Sequence, residues 1–263
     1  MQVMYGERKS LNRLKNCLCC SGRNTCAASS KKRIHVLGRY LCKCVQSLLS
    51  CPRYLGGKKG QYCWYLFEFS EILTDFDERS MLNMVSIQIE SSSINLAFGL
   101  YRQAFSALRL TLELGLATIY FSYNKLDHKE WLVGKNDIKW AQLIDEENGV
   151  LSTRFTNAFF PELSPEVERY NSKTRLVYRS LSEFVHGNSC TWNNNGSHIK
   201  KEDGLISHFF SFFNTVSDIL LFCLTCRYLK CLSPSEIDKI NFIFEELWHL
   251  EPVRMLMGSP TGA

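Results

Sequence analysis

Helix breakers are scarce in this chain, with 6 prolines and 15 glycines among 263 residues. Inside a helix a proline costs about 3 kcal/mol and a glycine about 1 kcal/mol relative to alanine. So few interruptions predict long helices, and residues 79–124 contain no proline at all. Hydrophobic residues make up 45% and charged residues 22%. That is enough apolar surface for a sizeable core and too much for bulk disorder. We expect an all-α fold, organised as a basic, Cys-rich N-terminal arm over 1–60 and a helical domain over 61–263.

Apolar spacing places the elements. Residues 1–33 show no clean period and read as a loop-rich arm. Ile34, Leu37, Leu41, Val45 and Leu48 follow the three-and-four spacing of an amphipathic helix, which Cys51-Pro52 and the glycines from Gly56 to Gly60 end. The apolar residues between Tyr62 and Leu73 predict a short buried helix within 61–77. Ser91-Ser92-Ser93 is read as a loosening that divides the next stretch into helices at 79–91 and 94–123. Trp131 and Trp140 suggest docked turns. A helix starting at 165 or 172 runs to His186, where Gly187-Asn188 is a good stop. The Asn-rich stretch 188–203 reads as a loop and 205–229 as a strongly apolar helix. Ser233-Pro234-Ser235-Glu236 has the residue types of a helix start, with Ser as cap, Pro first and Glu third.

Charge is unevenly distributed. Of a whole-chain net charge of +5, residues 1–60 contribute +12 and the remainder −7. A segment so basic suits phosphates or an anionic surface, or is simply a solubilising tail. Seven of the 12 cysteines fall in the first 51 residues. No signal-peptide pattern precedes them, so reduced thiols in the cytoplasm are expected. Cys17-x2-Cys20 resembles half of a zinc knuckle, with Cys42, Cys44 or His35 to complete four ligands, but a second CxxC at standard spacing is missing. Cys223 and Cys226 read as small core residues.

The 205–229 stretch is long enough to span a bilayer. It carries Asp218 near its middle, and an acid there costs about 3 kcal/mol on insertion scales. A buried core helix is therefore expected, with no membrane.

The chemically informative stretch is Tyr178-Arg179-Ser180-Leu181-Ser182-Glu183-Phe184-Val185-His186-Gly187-Asn188. Arg179 and His186 are seven apart, so on a helix they share a face about 10 Å apart along the axis. RNA carries its own nucleophile, the 2′-hydroxyl. Cleavage then needs a proton carrier with a pKa near neutral, which His supplies, and a fixed cation over the phosphoryl oxygens, which Arg supplies. No metal is needed. One His does not comfortably serve as both acid and base, so two copies of the helix in a dimer would complete the site. The competing reading is structural: a His in the last turn suits the helix dipole, and Arg179 and Glu183 at i,i+4 suit an ordinary ion pair.

Arg179-x6-His186, late in an all-helical domain and followed by Gly187, resembles the Rx4–6H motif of the HEPN superfamily. Ser180 fits the polar position after the motif Arg loosely, and the spacing of six lies at the long end of the family's range. The stretch from Gly99 to Phe105, through Arg109 and Glu113, is also similar to the preceding helix of bacterial HEPN-like proteins. The resemblance covers roughly residues 80–230. It implies a HEPN-like helical bundle dimerising through the motif helix. It implies a metal-independent endoribonuclease acting on RNA such as tRNA or mRNA, as a toxin or antiphage effector. It also implies an antitoxin or defence-system partner and no cofactor, with Arg179 and His186 catalytic. Other members are non-catalytic modules that bind partners or nucleic acid, and that alternative stays open here. Arg109 and Glu113, paired at i,i+4, are candidates for supporting the site or for an ordinary salt bridge; Tyr178 and Asn188 are candidates for touching RNA. The chain has no P-loop, dinucleotide glycine fingerprint, His-Glu-x-x-His or Gly-x-Ser-x-Gly motif.

Overall fold

Asp75 starts the first long helix of the bundle by accepting the free backbone N–H groups of Asp77 and Glu78, at 2.9 and 3.0 Å. A computed structural model describes residues 62–186, 191 and 201–257, and every regular element among them is helical. In order these are α1 (Tyr62–Ile72), α2 (Phe76–Ala97), α3 (Tyr101–Tyr123), α4 (Lys125–Leu132), α5 (Trp140–Leu143) and α6 (Thr153–Phe159). A 3-10 turn (Pro161–Glu166) leads into α7 (Val167–His186), followed by α8 (Asp203–Tyr228) and the short α9 (Pro234–Ile237), α10 (Phe242–Glu246) and α11 (Glu251–Leu256). The expectations for the arm, for Cys17, Cys20, Cys42, Cys44 and His35, and for Asn188 lie outside the described residues.

The expected break at Ser91–Ser93 is not there. Ser92 and Ser93 turn their hydroxyls back to the Ile89 carbonyl, at 2.6 and 3.3 Å, and the helix continues through them. It stops instead at Gly99, whose φ of 73° is a left-handed conformation that glycine adopts without strain. Gly99 N–H then bonds Leu96 O and Leu100 N–H bonds Asn95 O, both at 2.9 Å, which satisfies the last carbonyls in a Schellman arrangement.

Helix α3 is the centre of the bundle and packs against α2, α7 and α8. Phe105, Leu108, Leu112 and Leu116 are fully buried along it. At Gly115 the bare backbone lies against the side chain of buried Leu220 on α8, where a Cβ would meet Leu220 Cδ1 at 2.9 Å. Helices α3 and α8 are both long and apolar enough to cross a membrane, yet 72% of each apolar window is buried within the bundle. Asp218 of α8 faces α7, where it accepts from Tyr170 Oη at 3.2 Å and pairs with Lys173. Cys223 and Cys226 are buried free thiols of α8, and burial pushes the Cys223 thiol well up. Neither Trp131 nor Trp140 sits in a turn; they fall on α4 and at the start of α5.

His128 on α4 is a buried imidazole with no hydrogen-bond partner among the described residues at either ring nitrogen. Its ring stacks on Phe121, with centroids 4.9 Å apart and planes 2° from parallel. Burial pushes its pKa below 6.5; Lys125 and Lys129 push the same way, and Asp77 and Asp75 oppose. Below its ordinary pKa the unfolded chain therefore takes up a proton that the folded chain resists, and stability falls as pH drops through about 6.5. Calorimetry of wild type and His128→Phe from pH 7 to 5 checks this. The variant is expected to lose less Tm over that range, and an equal loss in both proteins would exclude His128 as the titrating group.

Candidate functional site

Helix α7 is strongly two-faced. Val167, Tyr170, Thr174, Val177, Leu181 and Phe184 recur every three or four residues and are buried against the bundle. Phe184 stacks on Phe105 of α3, centroids 3.9 Å apart, which fixes the depth of the last turn. Arg179, Glu183 and His186 consequently lie on the exposed side. The helix ends at His186, and Arg102 of α3 holds that end: its Nε donates to Phe184 O at 2.9 Å and its Nη2 to Val185 O at 3.4 Å. A cation on the last carbonyls also suits the negative end of the helix dipole.

Two turns further along the α3 face, Arg109 gathers three groups. Its Nη2 donates to Glu113 Oε1 at 3.1 Å and to Tyr178 Oη at 2.5 Å, and Tyr178 Oη donates to Glu113 Oε1 at 2.9 Å. Its Nη1 lies 3.4 Å from His186 Nε2. A guanidinium only donates, so Nε2 is the acceptor in this contact. The guanidinium carbon lies 4.7 Å from the Tyr178 ring centroid, and Trp140 stacks on the other side of that ring at 3.5 Å. Burial pushes the Tyr178 phenol above its ordinary range, with Arg109 opposing and Glu113 reinforcing. The phenol is therefore protonated at neutral pH and works as a donor.

The arrangement differs from the sequence expectation in one respect that matters. Arg109, Glu113, Tyr178 and His186 come together, from two helices. Arg179 does not join them: it is exposed and has no hydrogen bond or ion pair with a described residue, Glu183 included. The cation that touches His186 is Arg109, while Arg179 stands on the same helix face, open to solvent. Neither Arg102 nor Trp140 was a site candidate from the sequence. Arg102 and Arg109 share the seven-residue spacing of Arg179 and His186, which puts both on one side of α3 and was the available signal. Trp140 had none.

Comparison of the chain with protein-family models, with curated proteins and with solved structures returns no match. The functional reading therefore rests on the site itself. Among the described residues, no group of three or more His, Cys, Asp and Glu side chains could hold a metal ion. What the cluster offers is a solvent-reachable imidazole with a guanidinium beside it and a second guanidinium in reach of the same face. That is an anion-binding and proton-transferring set.

Proposed function

We propose that the chain is a metal-independent endoribonuclease of HEPN-like type, and that it acts in the cytoplasm as a toxin or antiphage effector on RNA such as tRNA or mRNA. The observation that carries this reading is the 3.4 Å approach of Arg109 Nη1 to the exposed His186 Nε2. A phosphate oxygen entering between them takes the Nη1 donor and frees Nε2. The 2′-hydroxyl of the substrate attacks the adjacent phosphorus and gives its proton to Nε2. The P–O5′ bond breaks, leaving a 2′,3′-cyclic phosphate, and O5′ leaves with a proton from water. Where two motif helices pair in a homodimer, a second His186 replaces that water as the acid. Arg109 and Arg179 stabilise the charge that develops on the phosphoryl oxygens. An antitoxin or defence-system partner would then mask this face.

Incubation of purified protein with tRNA and with mRNA in EDTA tests the reading. Wild type is expected to generate 2′,3′-cyclic phosphate ends, and His186→Ala to lose 10²–10⁴-fold in rate, the usual worth of a general acid–base group. Expression of wild type alone should arrest growth. Equal behaviour of the two proteins in both assays leaves the cluster as a structural clasp of a non-catalytic binding module.

A further inference from the structure

The outer face of α2 carries a second feature, independent of the His186 cluster. Helix α2 buries one face through Met81, Leu82, Val85, Ile89 and Leu96. On the opposite face Phe76, Met84, Ile87, Ile94 and Phe98 are exposed, Phe76 at 79% and Ile87 at 63%. With Ser80 and Ser91 between them, these positions follow each other at intervals of four, four, three, four, three and four. They form one straight seam with the rhythm of a helix–helix contact. The seam is also depleted of charge: Glu90 is the one charged residue in the stretch 80–98, which a solvated helix face would not show. Loss of charge with retention of Phe, Met and Ile is the composition of an interface core.

We infer that this face pairs with α2 of a second copy of the chain, antiparallel, about a two-fold axis at Ile87. The spacing is close to self-complementary in that sense. With Ile87 on the axis, Phe76 lies opposite the partner's Phe98, and Ser80 opposite the partner's Ile94, so each bulky end meets the other end and one small residue meets a larger one. Antiparallel helices also align their dipoles favourably. The seam is about 33 Å long at 1.5 Å per residue. A helix pair of that length buries on the order of 1,200 Å² over both chains, the lower edge of what a specific interface needs. A bilayer surface fits this face poorly. Interfacial helices pair an apolar face with Lys and Arg, whereas α2 carries Asp77, Glu78 and Glu90 and commits its one arginine, Arg79, to Leu73 O. Helix α3 lies between α2 and α7, so the pairing leaves the His186 face open.

The test is the mass of the full chain in solution, by light scattering or sedimentation across the micromolar range. Wild type is expected to be at least dimeric. Ile87→Glu places two carboxylates on the axis and is expected to halve the wild-type mass with an unchanged helical circular-dichroism spectrum, because Ile87 makes no part of the core. Ile87→Lys should do the same, and mixing the two variants should restore the wild-type mass through a Glu–Lys pair at the axis. A wild-type monomer overturns the inference, as does an Ile87→Glu protein of wild-type mass or a mixture that stays at half mass. So does co-sedimentation of a monomeric chain with anionic vesicles through Ile87. None of these readouts depends on ribonuclease activity.

Discussion

Arg109→Ala is expected to lower RNA cleavage by 10²–10³-fold and to destabilise the bundle by about 2–3 kcal/mol, a double loss that Arg179→Ala does not produce. The reason is the burial of the Arg109–Glu113 pair, 16% and 23% exposed at their side chains. Without the guanidinium, Glu113 keeps the hydrogen bond from the Tyr178 hydroxyl and remains a poorly solvated carboxylate. The phenol loses its cation and His186 loses the group nearest its Nε2. Lysine does not substitute well. Its ammonium cannot reach Glu113, Tyr178 and His186 with the fixed fork that Arg109 presents, so Arg109→Lys should recover part of the stability and little of the rate. Arg179 is exposed and pairs with no described residue, and its removal should change stability by less than about 0.5 kcal/mol. Its effect belongs in RNA affinity, as a reduction of roughly one in the salt dependence of binding. Denaturant melts with single-turnover cleavage separate the two residues. Equal rates in Arg109→Ala and wild type would place the cation function at Arg179 alone.

Gly115→Leu is expected to cost about 3 kcal/mol or more, a fall in Tm of roughly 6–12 °C for a domain of this size. Gly115 sits where α3 meets α8, and any Cβ there runs into the side chain of Leu220, itself 1% exposed. Alanine gains up to about 1 kcal/mol in helix propensity but meets the same side chain, so Gly115→Ala should fall on the destabilising side by less. The pairing can be read directly. Leu220→Ala alone opens a cavity and costs about 2–5 kcal/mol. Combined with Gly115→Leu it should recover much of the loss, because the volume has moved across the interface. Additive losses in the double variant would mean that the helices part at this point rather than interlock.

The sequence by itself determined the all-helical character and much of the core, because both are local. Scarce breakers and apolar residues at three-and-four spacing leave a helix as the one way to bury that pattern. The apolar stretch around Asp218 is a core helix, with that acid satisfied by Tyr170 and Lys173. Glu236 accepts from the Ser233 N–H at 2.8 Å, as the Ser-Pro-Ser-Glu pattern predicted. The exposed side of α7, with Arg179 and His186 on it, followed from the same periodicity. Tertiary structure decided the rest. Three serines in a row looked like a break, yet Ser92 and Ser93 place their hydroxyls on the Ile89 carbonyl and α2 runs on toward Gly99. Above all, the partner of His186 is 77 residues away on α3. Helical spacing says which side chains share one face; it carries no term for which face of another helix arrives opposite. The stacking of Phe184 on Phe105 sets that register, and it puts Arg109, rather than Arg179, beside the imidazole.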